Sequence, residues 1–303
     1  MTKLFAGIDG GQSSTVAAVG DELGRVLGRG RAGAADEVGQ GSDSTRMHDA
    51  LRGALDAALR DAGLSERTEF EAIVAGISGY QGRVYGKAPA LPSARVHLMH
   101  DAPIAHAGAL EGRSGVIVIA GTGSVVYGQN DDGSSRTLGG WGFLFGDEGS
   151  AFGLARDALA SLMRAQDDRD EALTPVRRQA CDFFSQRSLR DVVHAVAAGE
   201  ITRDRVAAFA PVVLATAQFR DVADRGADRL AELAVGAIHC GVPARVGLCG
   251  GVFGDERFRQ RVTGGIRAAI PDADVALAKY EPALGGLLLA YRATGTDVPG
   301  LQT

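Results

Sequence analysis

Two short turns rich in glycine and hydroxyl side chains contain the residues of this chain best suited to binding an anion. One of them is Gly121-Thr122-Gly123-Ser124, between the apolar runs 116–120 and 125–127. Glycine lacks a Cβ and adopts positive φ, so backbone N–H groups in such a turn can approach a phosphate closely. A plain β-hairpin has the same local pattern and is the alternative for this segment taken alone.

The other turn repeats the pattern near the start of the chain and favours binding over a plain hairpin. It lies between the apolar runs 4–8 and 16–19. Its residues are Asp9, Gly10, Gly11, Gln12, Ser13, Ser14 and Thr15. Two similar hairpins in one chain suggest two related halves that face one phosphate-bearing ligand.

The two turns differ from the common phosphate-binding motifs. Neither carries the GxxxxGK[ST] pattern of a P-loop, and neither opens a helix. Phosphate would therefore be held by backbone N–H and hydroxyl groups, and Mg²⁺ would supply the missing positive charge. Asp9 ends an apolar run and is placed to orient that ion, through water because Mg²⁺ dehydrates reluctantly. A carboxylate that caps the turn is the alternative for Asp9.

Asp101 and the pair Gly250-Gly251 also follow apolar runs that we expect to be strands. Asp101 comes after the run 95–100 and precedes small residues. It either faces a cleft as a base or serves as the N-cap of the next helix. The two glycines lie between a strand and a helix and would let the backbone approach an adenine or a ribose, with a plain turn as the alternative.

Segment 139–150 is the most specific signal in the chain. It holds five glycines, the only tryptophan and an acidic pair, a composition that is hard to explain as packed core. Trp141, flanked by glycines, suits a flat wall for a sugar ring. Asp147 or Glu148 could accept hydrogen bonds from ring hydroxyls, although both also favour the start of the following helix.

The hydrophobic pattern predicts the elements that position these residues. Strands are expected at 4–8, 15–20, 25–31, 71–77, 95–100, 116–120, 125–127, 136–138, 245–249 and 275–278. Helices are expected around the stripe Met47, Leu51, Leu55 and Leu59, at 151–164, over most of the stretch to 239, at 258–269 and at 283–293. Strands that alternate with helices predict an α/β fold with parallel strands, which bind ligands at their carboxyl ends.

Chain length and composition exclude several classes of protein. The chain has 303 residues and 45% apolar content, enough for two domains, and its net charge of −5 without any basic run argues against nucleic acid as a partner. Three scattered cysteines, Cys181, Cys240 and Cys249, indicate reduced thiols in a cytoplasmic protein. We find no signal-peptide pattern and no run of about 18 apolar residues, so we expect no export and no membrane span.

The motifs, taken in order, resemble those of the BadF/BadG/BcrA/BcrD-type ATPase family and, within it, the N-acetylglucosamine and glucosamine kinases. They are Asp-Gly-Gly-x-Ser, His-Asp-Ala after a strand, Ala-Gly-Thr-Gly-Ser, Gly-Gly-Trp-Gly-x-x-x-Gly-Asp-Glu-Gly-Ser and Cys-Gly-Gly-Val. The resemblance implies an actin-like, ribonuclease H-like fold with two related domains that close on ATP. We expect these domains at 1–110, to which the closing segment 283–303 can belong, and at 111–282, with a helical insertion.

The resemblance also implies roles for individual residues. The two turns bind the phosphates of ATP with Mg²⁺ at Asp9, and Gly250 and Gly251 contact the adenosine. Asp101 is the general base for transfer of the γ-phosphoryl group to the 6-hydroxyl of a hexosamine. The sugar contacts are Ser78, Gly79, Gly140, Trp141 and Asp147. The partners are an amino sugar and ATP, and we expect a homodimer.

One departure from the family pattern concerns the choice of sugar. Members often have an asparagine after Gly-x-Ala, whereas here Gly33-Ala34-Ala35 is followed by Asp36 and Glu37. If Asp36 faces the sugar, its carboxylate would favour the ammonium group of glucosamine over the acetamide of N-acetylglucosamine. A charge on a solvated loop is the alternative.

Two other functions fit the same family pattern. ATPase activators of 2-hydroxyacyl-CoA dehydratases share an iron–sulfur cluster between subunits through cysteines, but none of the three cysteines here lies in a glycine-rich loop suited to that role. A non-catalytic sugar or nucleotide sensor would be expected to lack the base, whereas Asp101 is present.

Overall fold

The computed structural model describes residues 2–37 and 39–303. The strands are β1 (Leu4–Gly10), β2 (Thr15–Asp21), β3 (Val26–Ala32), β4 (Ala72–Ile77), β5 (Val96–His100), β6 (Gly115–Ala120), β7 (Ser124–Gln129), β8 (Ser135–Gly139), β9 (Arg245–Cys249) and β10 (Asp274–Leu277). The α-helices are α1 (Arg46–Asp61), α2 (Asp101–Ala109), α3 (Ala151–Asp167), α4 (Thr174–Phe183), α5 (Leu189–Ala197), α6 (Arg203–Ala207), α7 (Ala210–Ala215), α8 (Arg220–His239), α9 (Glu256–Ala269) and α10 (Pro282–Ala293).

The chain divides into two compact units. The first consists of Met1–Ser114 together with Ala278–Thr303, and the second of Gly115–Leu277. Within the described residues, each unit contains one five-stranded sheet. The first unit is therefore discontinuous in sequence, whereas the second is one continuous stretch.

The two sheets share one topology. Their strand orders are β3-β2-β1-β4-β5 and, read from the opposite end, β8-β7-β6-β9-β10. In the first sheet β1 pairs antiparallel with β2 and parallel with β4, which is parallel to β5. In the second sheet β6 pairs antiparallel with β7 and parallel with β9, which is parallel to β10. The predicted α/β class, with a repeated antiparallel meander and added parallel strands, is confirmed.

Helices cover both faces of the first sheet. On one face, the apolar stripe of α1 is buried as its four-residue spacing predicts. On the other face, α10 lies so close to β1 that a Cβ at Gly7 would overlap the carbonyl oxygen of Ala283 and the amide of Leu287. Tyr291 of α10 is fully buried, and its hydroxyl donates a hydrogen bond to the carbonyl of Asp21 at 2.8 Å. The last helix is thus part of the core of the first unit.

The second unit has one extended apolar core. Side chains of β6, β7 and β9 pack in it with those of helices α3 to α9. The segment between α3 and α8, which the sequence pattern marked only as helical, contributes buried side chains such as Val192, Phe209 and Val213. This segment, α4 to α7, is called the helical insertion below.

Among the described residues, no single helix combines the length and the apolar composition that crossing a membrane requires. Two segments, Arg203–Ala215 and Ala217–His239, reach that length and apolar composition only when they are counted together, and a bend of 104° separates them.

Candidate active site

The carboxyl ends of the parallel strands of the first unit bring most of its predicted site residues to one edge of the sheet. Asp9 is the penultimate residue of β1 and lies beside Gly76 of β4. Ser78 follows β4 and donates its amide hydrogen to the carbonyl of Gly10 at 2.8 Å, and Gly79 next to it has a φ of +75°. Asp101 directly follows β5. Residues separated by more than ninety positions in sequence therefore lie at one sheet edge, as expected for parallel strands.

Hydrogen bonds within the first unit fix the turn between β1 and β2. The amide of Gly11 donates to the carbonyl of Ser14 at 2.9 Å, and the carbonyl of Gly11 accepts from the amide of Ala35 at 3.0 Å. Thr15 is fully buried, and its hydroxyl donates to the carbonyl of Gly33 at 2.8 Å. Gln12 and Ser13 lie on the outside, and Ser14 is half-buried. The hydroxyl of Thr15 therefore connects the turn to the loop that precedes Asp36, whereas the side chain of Ser13 is exposed to solvent.

Residues 35–37 of the loop after β3 are buried. Asp36 is only 8% exposed and Glu37 only 4%. One carboxylate oxygen of Glu37 accepts hydrogen bonds from the amides of Tyr85 and Gly86, at 3.1 and 3.2 Å. The alternative that Asp36 is a charge on a solvated loop is therefore wrong.

The carboxyl group of Asp9, near the end of β1, is affected by burial and by neighbouring negative charges. Burial, followed by the negative charges of Asp101 and Glu281, raises the pKa of Asp9 to about 7. Glu281 in turn accepts a hydrogen bond from the guanidinium of Arg29 at 2.8 Å. Such a concentration of negative charge favours the binding of a cation at this edge of the sheet.

This edge of the first unit fits Mg²⁺. Its donors are carboxylate oxygens, the ligand type that Mg²⁺ prefers. Within residues 2–37 and 39–303, no three His, Cys, Asp or Glu side chains are grouped as direct metal ligands. A magnesium ion that keeps several of its waters and binds through one or two carboxylates agrees with both observations.

Asp101 is the first residue of α2, and the N-cap position belongs to His100. The alternative that Asp101 is itself the N-cap is therefore wrong. The Nδ1 atom of His100 lies 2.8 Å from Oδ1 of Asp101 and 3.2 Å from the amide nitrogen of Ala102. One nitrogen cannot donate to the first and accept from the second, and the shorter contact to a carboxylate favours a proton on Nδ1. This hydrogen bond raises the pKa of His100.

The turn between β6 and β7 directs its carbonyls toward α3. The amide of Ala151 donates to the carbonyl of Gly121 at 2.8 Å, and the amide of Phe152 donates to that of Thr122 at 3.2 Å. Across the described part of the chain, the amides of Thr122 and Gly123 donate no hydrogen bond, and both residues are partly exposed. Free amides beside a helix N-terminus suit an anion.

A cavity of about 450 Å³ in the second unit joins two of the predicted nucleotide-binding segments. Gly121 and Thr122 line it on one side, and Gly251 and Val252 on another. Gly250 has a φ of +105°, and a Cβ there would overlap the carbonyl of Ala120. This close approach explains why glycine follows β9, and it does so without a ligand, so the plain-turn alternative for Gly250-Gly251 stays open.

The remaining lining of this cavity was not found from the sequence. It comes from the start of α3 and from the helical insertion: Ala151, Asp204, Ala207, Ala208, Ala210, Pro211 and Leu214. These residues are small or apolar apart from Asp204. Locally they follow an ordinary helical pattern, so only the tertiary fold shows that they border a cavity.

The segment 139–150 separates into an exposed part and a buried part. Trp141 is 78% exposed, and Leu144 and Phe145 are exposed as well. Three glycines in the exposed part, Gly139, Gly140 and Gly142, have positive φ, which explains their frequency here. The indole face is therefore available to a ligand.

Asp147 lies in the buried part and faces the turn between β6 and β7. It is 3% exposed, and its Oδ1 accepts the amide hydrogen of Ser124 at 3.1 Å. Its Oδ2 lies 2.8 Å from the guanidinium of Arg203 on α6. The hydroxyl of Ser124 donates to the carbonyl of Glu148 at 2.8 Å. Sequence reasoning did not identify Arg203, because its partner is 56 positions away.

The cysteines lie apart in the fold. Cys181 is on α4, Cys240 follows α8 and Cys249 ends β9, and all three are free. Burial raises the pKa of the Cys249 thiol to about 12.

Solved structures of sugar kinases share this fold. A provisionally assigned N-acetylglucosamine kinase from Chromobacterium violaceum superposes with a TM-score of 0.77 at 27% identity, over 95% of this chain and 99% of that one. A ROK-family glucokinase from Streptomyces griseus, in complex with glucose and AMPPNP, superposes with a TM-score of 0.53 at 19% identity, over 95% and 99%. The fold is thus the actin-like ATPase fold of sugar kinases, as predicted.

Residues 6–290 match the BadF/BadG/BcrA/BcrD ATPase family, and the chain belongs to this family. It is 33% identical over 152 residues to an N-acetylmuramic acid/N-acetylglucosamine kinase from Clostridium acetobutylicum. The matched region covers 49% of this chain and 45% of that relative. It is 39% identical over 69 residues to an N-acetyl-D-glucosamine kinase from Dictyostelium discoideum, over 22% of each chain. The chain therefore spans less than half the length of the curated relatives it matches.

Proposed function

We propose that this protein is an ATP-dependent kinase that transfers the γ-phosphoryl group to the 6-hydroxyl of an amino sugar, glucosamine or N-acetylglucosamine. The observation that carries the proposal is the cavity of the second unit, which joins Gly121 and Thr122 to Gly251. Membership of an ATPase family and similarity to N-acetylglucosamine kinases support it.

The cavity has the properties that a nucleotide requires. The amides of Thr122 and Gly123, beside the N-terminus of α3, suit the phosphates. The small and apolar side chains of the helical insertion, Ala207, Ala208, Pro211 and Leu214, provide a surface for the adenine ring. Asp204 is the charged residue of the lining and can accept hydrogen bonds from ribose hydroxyls.

Asp101 is proposed as the general base. It follows a strand at the ligand-binding edge of the sheet, and its side chain is 35% exposed, so a hydroxyl can reach it. His100 donates a hydrogen bond to Oδ1, which fixes the carboxylate and leaves the second oxygen for the sugar. A magnesium ion held through Asp9 would neutralise charge on the phosphates, since phosphoryl transfer depends mainly on positioning and charge stabilisation.

The sugar is proposed to lie against Trp141, with Ser78, Gly79 and Gly140 as further contacts. A flat, exposed indole is suited to the apolar face of a pyranose ring. The buried carboxylate of Asp36 would favour the ammonium group of glucosamine, because an ion pair is stronger where water is excluded.

An ATP-consumption assay tests the proposed function. The substrates are glucosamine, N-acetylglucosamine, N-acetylmannosamine, N-acetylmuramic acid and glucose, each with MgATP. We expect turnover with an amino sugar and loss of at least about 1000-fold in kcat for Asp101→Asn, with ATP and sugar binding retained. Asp131→Asn, in the exposed turn after β7, is the matched control. Turnover of glucose alone, or high residual kcat in Asp101→Asn, would contradict the proposal.

A further inference from the structure

We infer that the second unit contains a binding site for a small phosphorylated sugar, separate from the cavity proposed for ATP. The site is a cavity of about 590 Å³ between the end of α3 and helices α4 and α5 of the helical insertion. Small-molecule sites have volumes of roughly 300 to 1,000 Å³, so the cavity is large enough for such a ligand. This site is independent of the proposed catalytic role.

One face of α4 lines the cavity. Residues that recur every three or four positions share a face of a helix. In α4 the lining residues follow this spacing: Thr174, Arg177, Arg178, Cys181 and Asp182. Val176 and Ala180, on the opposite face, are buried in the apolar core of the unit. The packing of α4 therefore leaves its polar face for the cavity.

Three guanidinium groups make the cavity positively charged. Arg177 and Arg178 belong to α4, and Arg187 lies in the turn before α5. Across the part of the chain that the structure describes, none of the three forms an ion pair, although Arg177 donates a hydrogen bond to the hydroxyl of Thr174 at 2.5 Å. Asp182 is the one carboxylate of the lining. Guanidinium groups without a carboxylate partner suit a phosphate, which they bind through paired N–H groups.

The start of α5 adds backbone donors. Ser188 is the N-cap, and its hydroxyl donates to the carboxylate of Asp191 at 2.9 Å and accepts from the amide of Asp191 at 3.2 Å. Among the described residues, no acceptor lies within hydrogen-bond distance of the amides of Leu189 and Arg190. Ser188 and Leu189 line the cavity. The positive end of this nine-residue helix therefore supports the arginines in attracting an anion.

The remaining side chains favour a sugar phosphate over a nucleotide. Gln166 and Gln186 line the cavity, and their carboxamides can both donate hydrogen bonds to sugar hydroxyls and accept hydrogen bonds from them. The lining contains no aromatic side chain, and Leu189 is its one aliphatic residue. A purine base would need a larger apolar surface than this. We therefore assign the cavity to a ligand that joins a phosphate group to several hydroxyls.

The length of α3 separates this cavity from the one proposed for ATP. Ala151, the first residue of α3, lines the ATP cavity, whereas Gln166, the penultimate residue, lines this one. An α-helix rises 1.5 Å per residue, so the two positions are about 22 Å apart. The two cavities have no lining residue in common. A ligand in this cavity therefore leaves the ATP cavity free.

Calorimetric titration of the whole chain tests the inference. The probes are fructose 6-phosphate, glucosamine 6-phosphate and inorganic phosphate, each added with and without saturating MgAMPPNP to occupy the ATP cavity. Glucosamine 6-phosphate is a product of the proposed reaction and fructose 6-phosphate is not, so this pair distinguishes the two sources of a sugar phosphate. We expect fructose 6-phosphate to bind in the presence of AMPPNP, inorganic phosphate to bind more weakly, and unphosphorylated fructose not to bind.

Substitution of the arginines locates the binding. Arg178→Met and Arg187→Met should each weaken the binding of fructose 6-phosphate at least about tenfold, because a charge-assisted hydrogen bond is lost. Both side chains are exposed, so Tm should not change, and KM for ATP should stay within about twofold. Arg220→Met, an exposed arginine at the start of α8 that does not line the cavity, is the matched control.

Several results would overturn the inference. They are unchanged affinity in the folded variants Arg178→Met and Arg187→Met, or no binding of either sugar phosphate at millimolar concentrations. Inorganic phosphate that binds as tightly as the sugar phosphates, or AMP that binds more tightly with AMPPNP present, would overturn the assignment to a sugar phosphate. A protein that shows the expected variant pattern but phosphorylates no sugar would support the inference and contradict the proposed function.

Discussion

The Nδ1 atom of His100 lies 2.8 Å from Oδ1 of Asp101, at the junction of β5 and α2. This hydrogen bond raises the pKa of His100 above its ordinary value of 6.5. A group whose pKa is raised on folding stabilises the folded protein below its unfolded pKa, and the stabilisation is lost as the pH rises through the folded pKa. His100 and Asp101 therefore stabilise the first unit mainly in mildly acidic solution.

We predict that His100→Gln lowers Tm more at about pH 5.5 than at about pH 8.5, because only the acidic sample contains the charged pair. Differential scanning calorimetry at the two pH values measures the effect. His97→Gln, an exposed histidine on the same strand, is the control and should show no such difference. An equal loss of Tm at both pH values in His100→Gln would show that the pair does not titrate in this range.

Because α10 lies so close to β1, we predict that one methyl group added to β1 at Gly7 strongly lowers the free energy of unfolding. Gly7→Ala places a Cβ against the backbone of α10, so strand and helix must separate, and we expect a loss of at least about 2 kcal/mol in the free energy of unfolding. Gly53→Ala, within α1 of the same unit, adds a methyl that meets only an ordinary contact and should stabilise by up to about 1 kcal/mol. Urea denaturation of both variants provides the comparison. Equal stabilities would mean that α10 does not pack as described.

The carboxylates at the edge of the first sheet predict a pH-dependent response to Mg²⁺. Burial and neighbouring charges raise the pKa of Asp9 from 3.8 to about 7, so without a cation the folded state loses stability as the pH rises from 3.8 to about 7, and the ionised carboxylate above that pH is the form that binds Mg²⁺. Removal of Mg²⁺ with EDTA should therefore lower Tm more at about pH 8.5 than at about pH 5.5. Asp9→Asn should abolish the difference, whereas Asp131→Asn should preserve it. An EDTA effect that is independent of pH, or that persists in Asp9→Asn, would place the ion elsewhere.

The burial of Asp36 sharpens the prediction about the sugar. If Asp36 faces the 2-substituent, Asp36→Asn should lower the ratio of kcat/KM for glucosamine to that for N-acetylglucosamine by at least about tenfold, because an ion pair becomes a neutral hydrogen bond. Asp43→Asn, an exposed residue farther along the same loop, is the matched control. An unchanged ratio in Asp36→Asn would remove this residue from substrate selection.

Much of the fold and part of the candidate site follow from the sequence because they depend on local pattern. Alternating apolar runs and glycine turns predict both hairpins, and the stripe of α1 predicts its buried face. The position of Asp147 could not be predicted in this way. Its carboxylate meets Ser124 and Arg203, and both contacts depend on how distant segments pack.

The lining of the cavity shows the same limit. Ala207, Pro211 and Leu214 are ordinary residues of short helices in the sequence pattern. They line a cavity only because the helical insertion folds back toward the ends of β6 and β9. Glycine positions were easier to interpret, since a glycine often marks a place where another part of the backbone, or a ligand, comes too close to leave room for a Cβ.

The packing of α10 on β1 also sets an order of events during synthesis. A ribosome releases the chain from the N-terminus, and the second unit, Gly115–Leu277, is complete before α10 has emerged. Until then the apolar face around Phe5 and Val74, which α10 covers together with Ile104 of α2 in the folded unit, lacks the side chains of α10. The first segment to be made is thus the last to finish folding, and a truncation that removes α10 should lead to aggregation through the N-terminal half of the chain.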